Sequence, residues 1–196
     1  MLKRLFDMLA SFIGLIVLFP LLILIAFLVF ISSKGGIIFS HPRVGLNNKD
    51  FKVYKFRTMR VSSEPGNQLT MGHSDPRITG FGKFLRRYKL DELPQLFNVL
   101  LGDMSIVGPR PEVRKYVDQY TEQQKKVLTV RPGITDYASL EYVDEGTILE
   151  QAEDAEKEYT NVVLPKKLEL GIKYVEERSF LKDLSIIFRT LWRIII

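Results

Sequence analysis

The hydrophobic pattern divides the chain sharply. From Met8 to Ser33 the stretch "MLASFIGLIVLFPLLILIAFLVFISS" carries no charged residue and is almost wholly aliphatic or aromatic. Runs of this length and composition read as membrane-embedded helix. Gly35-Gly36 breaks it. Apolar and polar residues then alternate through "IIFSHPRVGLNNKDFKVYKFRTM", which predicts a β-hairpin turning at Gly45-Leu46-Asn47-Asn48. Val61 to Arg77 is polar and rich in Ser, Gly and Pro, so it reads as a loop. "GFGKFLRRY" is a short amphipathic segment. The next helix is expected to be capped by Asp91, to tolerate Pro94 in its first turn, and to stop at Gly102. Leu93, Leu96, Phe97, Leu100 and Leu101 form its expected buried stripe. Pro109, Pro111 and Pro132-Gly133 punctuate extended or turn segments. "LPKKLELGIKYVEER" has helical spacing. "SFLKDLSIIFRTLWRIII" opens on Ser179 as a cap and interleaves Lys182, Arg189 and Arg193 with apolar residues around Trp192. That pattern suits a membrane interface or ordinary packing on a core.

The apolar segment is too long for the core of a secretory signal, and no small-x-small cleavage pattern follows it. A continuous helix over it would reach about 39 Å, enough to span a ~30 Å hydrocarbon core. Pro20 sits at its middle and removes a backbone donor. Split there, each arm reaches only ~18 Å and the helix would dip in and return to the same face. Both flanks are positive, with Lys3 and Arg4 before and Lys34, Arg43 and Lys49 after, so charge gives no crossing direction. The residues leave crossing and re-entry both open.

Charge and composition narrow the chemistry. The chain has no cysteine, which excludes disulfides and thiolate metal sites, and its two histidines, His41 and His73, stand far apart. A bound metal would need carboxylate oxygens, which favours a hard cation such as Mg²⁺. Net charge is +5, but Glu141 to Glu158 holds eight acidic residues against one lysine, leaving 27 basic and 15 acidic residues elsewhere. A basic body suits a polyanionic partner: nucleic acid, an anionic membrane or a phosphorylated substrate. No base-reading or stacking motif appears, so nucleic acid is not expected. The acidic stretch is expected to face away from an anionic bilayer.

Asp91 and Glu92 stand side by side within "KLDELPQLFNVLLGDMSIVGPRP". The simplest account is a helix cap and a first-turn acid favoured by the helix dipole. Arg86, Arg87 and Lys89 before the pair and Arg110 after it point further, to phosphoryl chemistry at a membrane surface. One carboxylate would act as nucleophile and the other would help hold Mg²⁺, with arginines offsetting diphosphate charge.

"KFRTM" (Lys55 to Met59), "LDELPQLFNVLLGDMSIVGPRP" (Leu90 to Pro111) and "RPGIT" (Arg131 to Thr135) resemble the signature blocks of the bacterial sugar transferases. These are monotopic polyprenyl-phosphate phosphoglycosyl transferases, and the likeness is to their minimal catalytic form. It extends to Tyr174, Ser179, Asp183, Ile186, Ile187 and Thr190 and so covers nearly the whole chain. The resemblance implies transfer of a phosphosugar from a UDP-sugar to a polyprenol (undecaprenyl) phosphate with release of UMP, the first membrane step of glycoconjugate assembly. It implies that Asp91 is the nucleophile of a covalent phosphosugar intermediate. Glu92, with Asp91, is then a Mg²⁺ ligand that also assists proton transfer. By the same matching Arg86 and Arg110 contact phosphate, and Lys55, Arg57 and Arg131 are further substrate-binding candidates. It also implies a re-entrant N-terminal helix and a catalytic body on the cytoplasmic face of the bacterial inner membrane. Some members carry Ser-Pro at the bend, where this chain has Phe19-Pro20.

The expected architecture is a mostly helical α+β protein. Residues 1–34 form the membrane-embedded helix, and residues 35–196 form a cytoplasmic catalytic domain with one small β-hairpin and a C-terminal amphipathic helix. Two other readings stay open: a non-catalytic basic membrane adaptor, and a glycosyl transferase that releases UDP.

Overall fold

The computed structural model describes residues 2–32, 34–60, 75–141 and 145–195. The apolar run forms a single 31-residue helix, α1 (Leu2–Ser32), with Pro20 inside it. It is long and apolar enough to cross a membrane. Gly35, at φ 126°, takes the left-handed backbone that turns the chain away after it. The predicted hairpin follows. Strands β1 (Ile38–Val44) and β2 (Asp50–Phe56) pair antiparallel from Ile38↔Phe56 to Val44↔Asp50. A 3₁₀ turn joins them, with Asn47 and Asn48 at φ 54° and 60°, a region asparagine tolerates better than most residues. Most of the expected loop lies outside the described residues.

Helices α2 (Gly80–Arg87) and α3 (Gln95–Leu101) flank a tight 3₁₀ turn at Leu90–Glu92. Asp91 therefore does not cap a helix: Pro94 occupies the cap position of α3, and Gly102 ends it as expected. The buried stripe of α3 also differs from expectation. Phe97 and Leu101 face outward, while Gln95, Asn98 and Val99 point in. Asn98 explains the inversion, because its side chain donates to Lys52 O (2.7 Å) and accepts from Tyr54 N (3.0 Å), stitching α3 to β2.

The proline-punctuated segments build a second sheet that alternation could not show. Strands β3 (Ser105–Val107) and β4 (Gly133–Thr135) pair in parallel, Ser105↔Gly133 and Val107↔Thr135. Their crossing leaves no room for side chains at two glycines: a Cβ on Gly133 would sit 2.1 Å from Gly108 N, and one on Gly108 would sit 2.4 Å from Arg131 O. The rest is helical, comprising α4 (Arg114–Val117), α5 (Tyr137–Glu141), α6 (Glu145–Gln151), α7 (Ala155–Glu158), α8 (Leu164–Glu177) and α9 (Phe180–Ile195). A π-helical turn at Tyr159–Val163 fuses α7 to α8. Ser179 Oγ accepts from Lys182 N at 3.3 Å, the predicted cap of α9.

One stripe of α1 docks on this body along its whole length. Asp7 and Ser11 are buried. Asp7 accepts from Ser105 Oγ (2.8 Å) and Ile106 N (3.3 Å), Arg4 donates to Val99 O (2.7 Å), and Lys3 pairs with Asp183 (2.6 Å). At the other end Ile25 and Val29 pack on Phe56 and Leu85. The opposite side of α1, including Leu9, Phe12, Ile16 and Phe27, is exposed, as are Phe84, Phe97, Phe188 and Trp192. A separate core, built on Val44, Tyr116, Val127, Tyr159 and Leu168, lies under the C-terminal half.

Candidate active site

Lys89 begins the site. Its φ of 56° bends the chain out of α2, so the amides of Glu92 and Leu93 close on Lys89 O and Leu90 O and both acids turn inward. Asp91 and Glu92 end up 6% and 8% exposed. Burying two adjacent carboxylates demands compensation.

Lys55 and Arg110 compensate Glu92. Lys55 Nζ donates to Glu92 Oε1 at 2.8 Å, and Arg110 spans both oxygens at 2.6 and 3.4 Å. Lys55 comes from the end of β2, which Asn98 ties to α3. Arg110 comes from the chain leaving β3, where Pro109 O accepts from Gly133 N (3.0 Å) and Asp136 Oδ2 accepts from Arg110 N (3.2 Å). Asp136 is itself fixed by Ser139, whose amide and hydroxyl donate to its other oxygen. "GPRP" and "RPGIT" are thus two halves of one device that aims Arg110.

Arg86 belongs to the Asp91 side. Its Nε donates to Thr58 Oγ1 at 2.9 Å, and its charge acts on Asp91. Thr58 O also accepts from Thr79 N at 2.9 Å, and a Cβ on Gly82 would lie 2.2 Å from that carbonyl oxygen, so α2 sits tightly on the end of "KFRTM". Arg57 instead donates to Gly36 O (2.6 Å) and Arg131 to Gly102 O (2.8 Å). Lys55, Arg86 and Arg110 are brought to the pair; Arg57 and Arg131 brace backbone away from it.

The two acids ionise differently. Burial and the neighbouring Glu92 charge push Asp91 above the usual carboxylate range, against the pull of Lys55, Arg86 and Lys89. Burial opposes ionisation of Glu92 too, but the Arg110 and Lys55 charges outweigh it and hold Glu92 well below that range. Asp91 Oδ1 is buried without a hydrogen-bond partner. A buried carboxylate oxygen with no partner is an energetic liability unless something comes to meet it.

That oxygen also decides how a metal fits. Among the described residues no group of three or more acidic, histidine or cysteine side chains is arranged for a metal. Mg²⁺ commonly takes only one or two carboxylates and fills its remaining positions with water and substrate phosphate oxygens. Asp91 Oδ1 offers such a position, whereas the Glu92 oxygens are already engaged by cations. The partnerless oxygen of Asp91 is a donor that fits Mg²⁺.

Some residues of the site were not among the sequence candidates. Asn98 and Asp136 hold its frame, and Arg43 stands beside it within the field of Glu92 and Arg110. Asp136 directly follows "RPGIT", and Arg43 shares the hairpin face of Lys55, so each left a trace.

A family profile described as bacterial sugar transferase matches residues 1–196. Over 192 residues the chain is 38% identical to the UDP-N-acetylgalactosamine-undecaprenyl-phosphate N-acetylgalactosaminephosphotransferase of Aeromonas hydrophila, which covers 96% of this chain and 42% of that protein. Over 197 residues it is 37% identical to the UDP-glucose:undecaprenyl-phosphate glucose-1-phosphate transferase of Escherichia coli (strain K12), at 98% and 40% coverage. It is also 35% identical over 196 residues to the uncharacterized sugar transferase EpsL of Bacillus subtilis (strain 168), covering 100% of this chain and 88% of that protein. The chain spans about two-fifths of the length of the first two relatives.

Proposed function

The chain belongs to the bacterial sugar transferase family, and from that premise we propose that it moves a sugar 1-phosphate from a UDP-sugar to polyprenol (undecaprenyl) phosphate and releases UMP. The partnerless oxygen of Asp91, set beside a cation-locked Glu92, carries this reading. A carboxylate kept free of hydrogen bonds retains its lone pairs for attack. Asp91 attacks the sugar-bearing phosphorus and forms an acyl phosphate; the nucleoside phosphate leaves. The lipid phosphate then displaces Asp91 from the same phosphorus.

The surroundings support those steps. Arg86 and Arg110 bring guanidiniums to the two acids, where they offset the charge of an incoming diphosphate. Glu92 fixes Lys55 and Arg110 in place and remains ionised, so its part is to orient cations. Mg²⁺ would be held by the Asp91 carboxylate through the oxygen not engaged in attack, and would supply further neutralisation of phosphate charge.

The same reading sets the chain at a membrane. A helix of 31 residues is about 46 Å long, yet Lys3, Asp7 and Ser11 near one end and Ile25 and Val29 near the other all touch one body. A helix docked lengthwise on a body with a charged site favours a re-entrant or in-plane placement over crossing, with the exposed side of α1 and Trp192 of α9 immersed. The body then lies on the cytoplasmic face of the bacterial inner membrane, where nucleotide sugar and lipid phosphate meet.

Purified protein in nanodiscs, with Mg²⁺, polyprenol phosphate and a panel of UDP-sugars, tests the reaction. UMP release by the wild type that is absent from Asp91→Asn is expected. UDP release would instead establish ordinary glycosyl transfer.

A further inference from the structure

Arg43 lies on the face of the hairpin that carries Lys55. The register sets Phe39 opposite Lys55, His41 opposite Val53 and Arg43 opposite Phe51, and residues opposite each other or two apart share a face. Val44 N donates to Glu112 O at 2.8 Å, which brings this end of β1 against the segment just past Arg110. Arg43 is half-buried there, within the fields of Glu112, Arg110, Tyr159 and Glu92.

The acids around it are already taken. Glu92 is held by Lys55 and Arg110. Glu112 accepts from the Tyr159 hydroxyl at 2.5 Å and lies 3.9 Å from Lys167. The Arg43 guanidinium makes no hydrogen bond or ion pair with another described residue. A half-buried guanidinium with five donors and no acceptor is short of an anion.

We propose that Arg43 binds the phosphate of the departing nucleoside monophosphate, the half of the donor diphosphate that Asp91 does not attack. The assignment rests on the phosphosugar-transfer reading above. In that step an Asp91 oxygen forms a bond to the sugar-bearing phosphorus. The bond from that phosphorus to the bridging oxygen breaks, and its electron pair leaves with the bridging oxygen on the nucleoside phosphate. Negative charge therefore grows on the outgoing phosphate, where a planar guanidinium fork is well matched to it. Arg43 lies in the fields of Arg110 and Glu92, and Lys55 in those of Arg110 and Asp91, so the three cations share one neighbourhood beside the acid pair, where a diphosphate can meet them.

The lipid acceptor fits this position poorly. The core behind Arg43, built on Val44, Val113, Tyr116 and Tyr159, contains no residue of α1 or α2, whose exposed apolar side chains face the proposed membrane.

Steady-state UMP release, with donor and acceptor varied separately, and calorimetric binding of UMP test the assignment on wild type, Arg43→Gln and Arg43→Lys in nanodiscs. Arg43→Gln is expected to raise the donor KM and the UMP Kd at least about tenfold, the scale of a lost charge-assisted hydrogen bond. The acceptor KM should move less than about threefold. Arg43→Lys keeps the charge and loses the fork, so it should fall between, and it decides the matter if Arg43→Gln melts far below wild type. An unchanged donor KM and UMP Kd in a folded variant, or an effect confined to the acceptor, overturns the assignment while leaving phosphosugar transfer intact. UDP release by the wild type overturns both.

Discussion

Asp91 and Glu92 are chemically near-identical neighbours that one tight turn has made unlike. Glu92 is neutralised by Lys55 and Arg110, whereas Asp91 keeps an oxygen without a partner and an elevated pKa. In the proposed step the attacking carboxylate is ionised, so activity should rise with pH along an acid limb that reports Asp91. Lys55→Met removes a charge that lowers this pKa and should move the limb to higher pH; Glu92→Gln removes a repulsion and should move it lower. Stopped assays of kcat/KM across pH read both shifts, and shifts of opposite sign would contradict this electrostatic account. Stability gives a second reading. A group whose folded pKa is raised above its unfolded value binds more protons in the fold, so ionised Asp91 weakens the fold above that pKa and the penalty lifts as pH falls through it. Asp91→Asn should therefore be inactive and melt higher than wild type at pH 7, the pattern expected where function holds a strained charge. A lower melting temperature would argue against that strain. The adjacency of the acids and the basic residues near them were legible in the sequence. Which cation served which acid was not, since Lys55, Arg86 and Arg110 converge from three separate elements.

Elements explain why the motifs are long. "KFRTM" supplies Lys55 to the pair, Arg57 to the hairpin base and Thr58 to Arg86. "GPRP" and "RPGIT" are distant in sequence and adjacent in space, joined by a parallel pair that only glycine admits. Gly133→Ala would put a methyl 2.1 Å from Gly108 N, so it should open β3–β4, release Arg110 and lower both melting temperature and activity. Asn98→Ala strips partners from Lys52 O and Tyr54 N and should destabilise the protein by about 2 kcal/mol or more, read by denaturant melts. The hairpin, α8 and α9 were visible because each has its own periodicity, and α1 because its apolar run is unbroken. The β3–β4 pair was not, because three-residue strands carry no period and parallel pairing needs a crossover. The stripe of α3 misled because Phe97 and Leu101 face outward while a buried asparagine does the stitching.

Among the described residues much of the exposed apolar surface belongs to α1, with Phe188, Leu191 and Trp192 of α9 adding to it. The run from Met8 to Ser33 reads as membrane-embedded but leaves crossing and re-entry open; the polar contacts of Lys3, Arg4 and Asp7, outside that run, tie one end of the helix to the body, and Ile25 and Val29, inside it, pack the other. The chain lacks cysteine and has a single tryptophan, which makes two tests direct. Cysteines introduced at Leu2 and Lys34 should both be labelled from the same side of a bilayer, whereas opposite sides would establish crossing. Trp192, 69% exposed, should be quenched by lipids brominated near the headgroup end of the acyl chains; a tryptophan untouched by them would take α9 off the membrane.

The central claim is that Asp91 carries the phosphosugar between two substrates. The direct measurement is intact and peptide mass spectrometry of protein incubated with Mg²⁺ and its UDP-sugar in the absence of any lipid acceptor. The account predicts UMP released in proportion to enzyme and a mass increase of one phosphosugar on the peptide containing Asp91, lost on adding polyprenol phosphate and absent from Asp91→Asn. Turnover that needs both substrates together, with no adduct under any quench, would contradict it.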